Sequence, residues 1–430
     1  MRRWTLLLAF AGLLAAPLQA QEMDVAPIPL RSAPRTFVFA DPPDTNVEPY
    51  YAAHPGTLVW LRNSDTRAAA AELVALLRNA QVDGFTDGPM LVAGVQAAIK
   101  RGLPADDGVI SNAWVRYVQA LKRPVEGVSF GDPALQLRPP SPTAILSAAS
   151  RASSLQRLVE RIANVNPLYA SLRDAAVVRG DQNDLHVRAT LERLRLIPAK
   201  GQAILVDAAN AQLTMLEDGR PVGGMKVIVG KPDTATPLIA STIHYVTLNP
   251  VWHLPPDFTQ RKVAPLVLKH GVGILEAARY ETVAGFGWGE ERPVDPASID
   301  WKAVAAGRIE AHIRQRAGPR NSMGLMKFGF DNDYGIFLHD TPHKELFAQA
   351  KRDLSLGCVR LENPQGLAEW LLGREPEAKD GGSEHNVAIA KGVPVFITYL
   401  TARADDGAIA FAKDVYGLDR QGGEALAAAN

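Results

Sequence analysis

Cysteine is almost absent from this sequence, because Cys358 is the only one among 430 residues. A single cysteine cannot form an intramolecular disulfide, and it supplies neither a CxxC redox pair nor a cysteine-based metal cage. Two roles remain, a buried apolar thiol or a reactive one. Free cysteine is among the most buried residue types, so the residues around Cys358 have to decide between them.

Net charge is also absent, since 46 basic residues balance 46 acidic residues. This balance gives no electrostatic reason to expect binding to nucleic acid or to an anionic membrane surface. Long apolar runs are lacking beyond the first twenty residues, so no later segment is expected to cross a bilayer. The length of the chain allows two or three domains.

The first twenty residues have the pattern of a secretory signal peptide. A basic start at Met1–Arg3 precedes an apolar run at Trp4–Ala16, and the small residue Ala20 suits cleavage by signal peptidase. The run is shorter than the ~20 residues that a membrane span needs. We therefore expect cleavage after Ala20 and a periplasmic protein, with an uncleaved anchor as the alternative. In an oxidising compartment a free cysteine is unusual unless it is buried or functional.

The amino-terminal half of the remaining chain is predicted to be mainly helical. Residues 21–57 are rich in proline and are expected to form an extended leader. Residues 58–198 are expected to form a helical scaffold domain, because apolar residues recur there at helical spacing. The predicted helices cover residues 65–80, 89–100, 111–121, 153–162 and 186–196.

The hydrophobic period changes after Pro198, where short runs rich in β-branched residues predict strands. We expect a mostly β domain over 199–400 and a carboxy-terminal tail over 401–430, which makes the fold class α+β. An aromatic-rich insertion at about 250–327 is either a subdomain with its own core or a lid over a substrate. The predicted strands cover residues 203–207, 211–215, 225–229, 243–248, 335–338 and 394–400.

The residues around Cys358 favour a reactive thiol. Gly357 allows the backbone to turn tightly and to bring amide groups close to a bound carbonyl, as an oxyanion hole requires. Arg360 is either part of a structural ion pair or a positive charge that favours the thiolate and could bind a carboxylate. His339 lies nineteen residues upstream of Cys358. The pair predicts a thiol nucleophile with an imidazole base.

Two further features of this region are a possible zinc site and a serine close to Cys358. His339 and His343 are four residues apart, as in some zinc sites, but Pro342 between them opposes a continuous helix. We therefore predict no metal site. Ser355 is expected either to orient the turn before Cys358 or contact substrate, or to cap that turn.

Several segments of the chain resemble the L,D-transpeptidases, the YkuD-domain family. The active-site signature of that family is similar to residues 321–328, 334–342 and 355–360. The match extends over residues 227–231, 236–237, 248–255, 399–402, 406–407 and 414–419. The helical half resembles the scaffold region of the YcbB-type members of the family, most clearly at 166–173 and 191–195.

The resemblance implies a function in peptidoglycan biosynthesis, cell-wall biogenesis and cell shape. It implies that the Cys358 thiolate attacks the L,D bond of a tetrapeptide stem, and that an amine of a second stem resolves the thioester. His339 would be the base, oriented by a backbone carbonyl for which Asp340 is the candidate. No metal or organic cofactor is implied, and carbapenems would be inhibitors. Partners would be peptidoglycan stem peptides, with other cell-wall synthesis proteins as candidates, and no nucleic acid.

The resemblance also implies further contact residues around the nucleophile. The oxyanion would rest on backbone amides that include those of Gly357 and Cys358. Ser355, Arg360, Asp340 and Tyr334 would complete the oxyanion and substrate-binding site.

The chain departs from the family at two places. Leu356 stands where the family commonly has histidine or serine. The larger relatives carry a peptidoglycan-binding module between the two scaffold marks, whereas this chain has only a short connection there, so we expect no such module. Two alternative functions remain: an L,D-carboxypeptidase or endopeptidase that uses the same thioester, and a catalytically silent peptidoglycan-binding envelope protein.

Overall fold

The computed structural model describes residues 44–285, 291–376 and 382–419. The predicted signal peptide, most of the predicted leader, Phe286 and Trp288 of the insertion, and the end of the tail lie outside the described residues. Among the residues that are described, no helix is long and apolar enough to span a membrane.

The amino-terminal half is a helical domain around one apolar core. All five predicted helices are confirmed, although their ends differ by a few residues. The helices are α1 (Glu48–Ala53), α2 (Ser64–Asn79), α3 (Gly88–Arg101), α4 (Asp106–Leu121), α5 (Pro142–Arg151), α6 (Leu155–Ala163), α7 (Pro167–Arg179) and α8 (Leu185–Leu194). Residues 180–184 join α7 to α8.

Three helices were not predicted, and two of them begin at prolines. Helix α1 lies within the region expected to be an extended leader, where Tyr50 is buried in the helical core. Pro142 begins α5, because Ser141 caps the helix and the missing amide of a first-turn proline has no helical partner to lose. Pro167 begins α7 in the same way behind Asn166.

The second half contains most of the strands and confirms the predicted α+β class. The strands are β1 (Ser129–Phe130), β2 (Gln202–Asp207), β3 (Gln212–Glu217), β4 (Arg220–Gly230), β5 (Ile239–Leu248), β6 (Trp252–His253), β7 (Tyr280–Ala284), β8 (Arg292–Pro293), β9 (His312–Gln315), β10 (Met326–Phe330), β11 (Leu338–His339), β12 (Asp353–Ser355), β13 (Val359–Leu361), β14 (His385–Thr398), β15 (Ala402–Asp405) and β16 (Ala408–Phe411).

Eight of these strands pair in a closed ring, in the order β5, β10, β11, β13, β4, β3, β2 and β14, with β14 pairing back to β5. Alternate apolar side chains of the ring form a second buried core. Helix α13 (Pro364–Leu372) adds Leu367 and Leu371 to it. The strand predicted at 335–338 is wrong in its bounds, because residues 335–337 belong to a turn in which Asn332 accepts the Ile336 amide.

The insertion forms a subdomain with its own core, which is one of the two possibilities that the sequence predicts. Leu254, Val267, Trp301 and Ile313 are buried in it together. Its sheet has the order β6, β9, β7, β8 and ends at Gln315, whereas position 327 belongs to β10 of the ring. Its helices are α9 (Pro256–Phe258), which continues through a π-helical turn, α10 (Ala264–His270), α11 (Gly273–Ala277) and α12 (Trp301–Ala305).

The described part of the tail ties the two halves together. Strands β15 and β16 form a hairpin that places Ala402 and Ile409 in the helical core. The Asp419 carboxylate is fully buried, where it pairs with Arg193 of α8 at 2.6 Å and accepts from the Thr401 hydroxyl at 2.5 Å. A buried carboxylate needs such partners, because desolvation of an unpaired charge is costly.

Replacing Asp419 with alanine should destabilise the protein strongly. The substitution leaves the buried Arg193 guanidinium without its carboxylate, and breaking a buried pair costs about 3–5 kcal/mol. Chemical denaturation will measure the loss. Asp405→Ala is the matched control, since its pair with Arg403 is exposed and 3.8 Å long, and it should change the unfolding free energy by less than about 0.5 kcal/mol. Equal losses in the two variants would contradict a structural role for the Asp419 pair.

Candidate active site

Cys358 and His339 lie on the same face of the strand ring. Strands β11 and β13 are parallel neighbours, with Leu338 opposite Val359 and His339 opposite Arg360. Leu338 and Val359 are fully buried in the core of the ring. Because side chains alternate along a strand, His339 and Arg360 project from the other face, and Cys358, two residues before Arg360, shares that face.

The turn before Cys358 is closed by Ser355. The Ser355 hydroxyl donates to the Cys358 carbonyl oxygen at 2.6 Å and accepts the Gly357 amide at 3.1 Å. Gly357 has φ of 121°, a conformation that favours glycine. Ser355 therefore holds the turn closed, and a contact between Ser355 and substrate stays a prediction. The Gly357 amide, a predicted oxyanion donor, is engaged by Ser355 in this structure.

The loop after β4 holds the same turn from its other side. The Thr236 hydroxyl accepts the Gly230 amide at 2.8 Å and donates to the Gly357 carbonyl oxygen at 2.8 Å. The Thr234 hydroxyl donates to the Ser355 carbonyl oxygen at 3.1 Å. The sequence analysis missed both threonines as site residues, since they lie more than a hundred positions before Cys358. Their hydroxyls hold the backbone on which the thiol is mounted.

The tail reaches this loop through Tyr416. The Tyr416 hydroxyl donates to the Gly230 carbonyl oxygen at 2.5 Å, and its ring stacks on Tyr399 with centroids 5.1 Å apart. Gly230 is thus held through both its carbonyl and its amide. A chain of contacts therefore runs from the tail through the β4 loop to the turn that carries Cys358.

His339 is buried and held by a backbone carbonyl. Its Nδ1 lies 2.5 Å from the Asp340 carbonyl oxygen, so Nδ1 carries the proton and Nε2 is left able to accept one. This carbonyl is the one expected to orient the imidazole. The Asp340 carboxylate has a separate role, since it accepts the Leu325 and Thr341 amides and pairs with Lys344 at 2.8 Å.

Burial keeps both candidate catalytic groups neutral. Desolvation, helped by the charge of Arg360, lowers the pKa of His339 to about 4. Desolvation raises the pKa of Cys358, although a backbone hydrogen bond with Phe337 and the charges of Arg360 and Lys327 oppose the rise. Arg360 thus favours the thiolate as expected, but desolvation outweighs it. At neutral pH the structure holds a thiol and an uncharged imidazole, and Cys358 keeps the partial exposure that a substrate needs.

Tyr334 is the remaining predicted site residue, and Leu356 is a position at which the chain departs from the family. Tyr334 is partly buried and packs against the core of the ring, while its amide donates to Asn332. Leu356 is 42% exposed beside Gly357, so an apolar side chain faces solvent next to the thiol.

Within the described residues, no group of three or more His, Cys, Asp and Glu side chains is arranged to hold a metal ion. His343, which the zinc alternative needed, is exposed and lies 3.3 Å from Glu345.

Two regions of the chain match known protein families. Residues 201–397 match the YkuD family, described as the L,D-transpeptidase catalytic domain, and residues 45–175 match the Scaffold domain. The chain therefore carries an L,D-transpeptidase catalytic domain, which follows a Scaffold domain.

A curated relative from Haemophilus influenzae, a candidate L,D-transpeptidase, is 32% identical over 237 residues. The match covers 54% of this chain and 47% of the relative, so the chain spans about half the length of that protein. Among solved structures, an L,D-transpeptidase from Mycobacterium smegmatis is 14% identical with a TM-score of 0.23, over 46% of this chain and 58% of its own. L,D-transpeptidase 3 from Mycobacterium tuberculosis is 15% identical with a TM-score of 0.22, over 46% and 61%.

Thr236→Val should destabilise the protein and change the reactivity of Cys358. Valine keeps the shape of threonine but leaves the buried Gly230 amide and Gly357 carbonyl oxygen without their shared partner, at a cost of about 1–3 kcal/mol. Thermal unfolding and the rate of Cys358 alkylation will measure the two effects. Thr236→Ser keeps the hydroxyl and should behave like the parent. A valine variant as stable and as reactive as the serine variant would show that the hydroxyl does not hold the turn.

Proposed function

We propose that this protein is a cysteine-dependent peptidoglycan L,D-transpeptidase. The observation that carries the proposal is the common sheet face of Cys358 and His339, with His339 Nδ1 held by the Asp340 carbonyl, within a domain of this family. The imidazole is buried and neutral, which is the form that accepts a proton.

In the proposed reaction, His339 Nε2 removes the proton from Cys358 as the sulfur attacks the carbonyl carbon of the L,D bond before the terminal D-Ala. The carbon–nitrogen bond of the tetrahedral intermediate then breaks. The amine of D-Ala leaves with the proton from His339, and a thioester remains on Cys358. An amine of a second stem attacks this thioester and gives its proton to His339, which returns it to the sulfur. After the two half-reactions, the Cys358 thiol and the neutral His339 imidazole are both restored.

Neutral resting groups suit this sequence of steps. The thiol does not carry a stable negative charge before substrate arrives, and the proton moves as the carbon–sulfur bond forms. The developing oxyanion needs donors, for which the Cys358 amide is the proposed group, since the Gly357 amide is engaged by Ser355. Arg360 and Tyr334 are proposed to contact the substrate.

We place this activity in the periplasm, after export by the signal peptide expected at residues 1–20. The substrates would be peptidoglycan stem peptides, held by the catalytic domain and the insertion without a separate peptidoglycan-binding module. Cell-wall cross-linking or remodelling would be the outcome, and other cell-wall synthesis proteins are candidate partners.

Hydrolysis is the second candidate function. The partial exposure of Cys358 gives water a route to a thioester at that sulfur, which would yield an L,D-carboxypeptidase or endopeptidase. Incubation with tetrapeptide muropeptides separates the two functions, because a transpeptidase forms cross-linked dimers and a carboxypeptidase forms tripeptide monomers. A catalytically silent binding protein, the third candidate, would leave the muropeptides unchanged.

Treatment with meropenem should add one drug molecule to the protein. A carbapenem mimics the acyl donor, so the Cys358 sulfur should open its strained ring and keep the product as a thioester. Intact-protein mass spectrometry followed by digestion should place the adduct on the peptide that contains Cys358, and Cys358→Ala should carry none. If a small alkylating reagent reaches Cys358 while meropenem does not, the thiol is accessible but the acyl-transfer site is not assembled.

The acylation rate of the parent should fall only as the pH approaches 4, because His339, with its pKa lowered to about 4, stays uncharged above that value. His339→Gln should lower the rate about 100-fold or more at pH 7. Its rate should recover partly at high pH, where the thiol ionises without a base. Stopped-flow acylation from pH 3.5 to 10 will measure both profiles. Identical profiles in the two proteins would remove His339 from the role of base.

A further inference from the structure

His339 lies between two cationic side chains on the site face of the ring. Lys327 of β10 is its direct partner in the antiparallel pair, and Arg360 of β13 is its direct partner in the parallel pair. Directly opposed residues project from the same face, with Cβ atoms about 4.5–5.5 Å apart in an antiparallel pair. Both positive charges therefore flank the imidazole on the face that carries Cys358.

The ammonium group of Lys327 lies close to the aromatic ring of Phe337. Its Nζ lies 5.1 Å from the centroid of the Phe337 ring. Phe337 in turn is hydrogen-bonded through its backbone to Cys358, which the Lys327 charge influences. Lys327 is partly exposed, so a ligand that reaches Cys358 can also reach this cation.

The nearby carboxylates are committed to other groups. Asp340 pairs with Lys344, Glu291 pairs with Arg314, and Glu384 accepts the Val251 amide. Among the described residues, none forms an ion pair with Lys327. The charge of Lys327 acts on Cys358, and an anion is the ligand that such a cation favours.

We propose that Lys327 binds the terminal carboxylate of the acyl donor. This inference rests on the proposed transpeptidase function and names the substrate group that the site recognises. In a donor that ends in D-Ala, the carboxylate carbon is three bonds from the scissile carbonyl carbon, a separation of roughly 3–4 Å. A carbonyl placed at Cys358 thus puts its carboxylate within the reach of a cation beside the thiol.

The arrangement has a consequence for the base. The charges of Arg360 and Lys327 both lower the pKa of His339. A bound carboxylate would screen those charges and make the imidazole a stronger base while the donor is in place. Donors with a free terminal carboxylate should therefore gain in the chemical step as well as in binding.

The test compares a tetrapeptide donor that ends in D-Ala with the same peptide ending in D-alaninamide. Lys327→Met should lower kcat/KM for the carboxylate donor by about 10–100-fold and for the amide donor by less than about 3-fold. Lys327→Arg, which keeps the charge, should restore most of the preference. Lys351→Met removes an exposed lysine far less buried than Lys327 and should leave the ratio between the donors unchanged.

A binding experiment separates this inference from the proposed function, because it needs no turnover. In the Cys358→Ala background, calorimetry should show tighter binding of the carboxylate peptide than of the amide by about 10-fold. Adding Lys327→Met should remove that difference. If Lys327→Met lowered kcat/KM or binding affinity equally for both peptides, the proposed carboxylate site would be wrong. A parent that shows the binding preference but releases neither D-Ala nor D-alaninamide would contradict the proposed function alone.

Discussion

The parallel pairing of β11 with β13 is the constraint on which the site depends. It sets His339 opposite Arg360 and leaves Leu338 and Val359 buried on the other face. A shift of one residue in this register would turn the side chains of the strand to the opposite face. The residues beside His339 would then be buried in the core. The closed ring opposes such a shift, because every strand in it has a neighbour on both sides.

Desolvation on this face determines the chemical state of the groups. The same burial that raises the pKa of the thiol lowers the pKa of the imidazole, so the pair rests without charge. The charges of Arg360 and Lys327 reduce the rise in the pKa of Cys358 and add to the fall in the pKa of His339. These two charges therefore favour a negative charge that develops on the sulfur.

The backbone that carries the thiol is held by hydroxyl groups from distant parts of the chain. Thr236 binds the Gly357 carbonyl oxygen, and Tyr416 binds the Gly230 carbonyl oxygen next to it. A few residues later Asp419 pairs with Arg193 of the helical domain. The scaffold thus contacts the segment that supports the catalytic turn, which gives the helical half a physical connection to the site.

The sequence by itself determined the helices with regular apolar spacing, the α+β class, and the candidate pair Cys358 and His339. It also determined five of the strands, namely β2, β3, β4, β5 and β14. The signals that bound α13 are likewise local, because Asn363 caps the helix, Pro364 begins it and Gly373 follows its end. Only the tertiary structure decided that Ser355 takes the Gly357 amide, that Thr236 holds the turn, and that Lys327 flanks His339. These contacts depend on how the turn closes and on how the strands pair in register. The spacing of residues along one segment of the chain does not predict either.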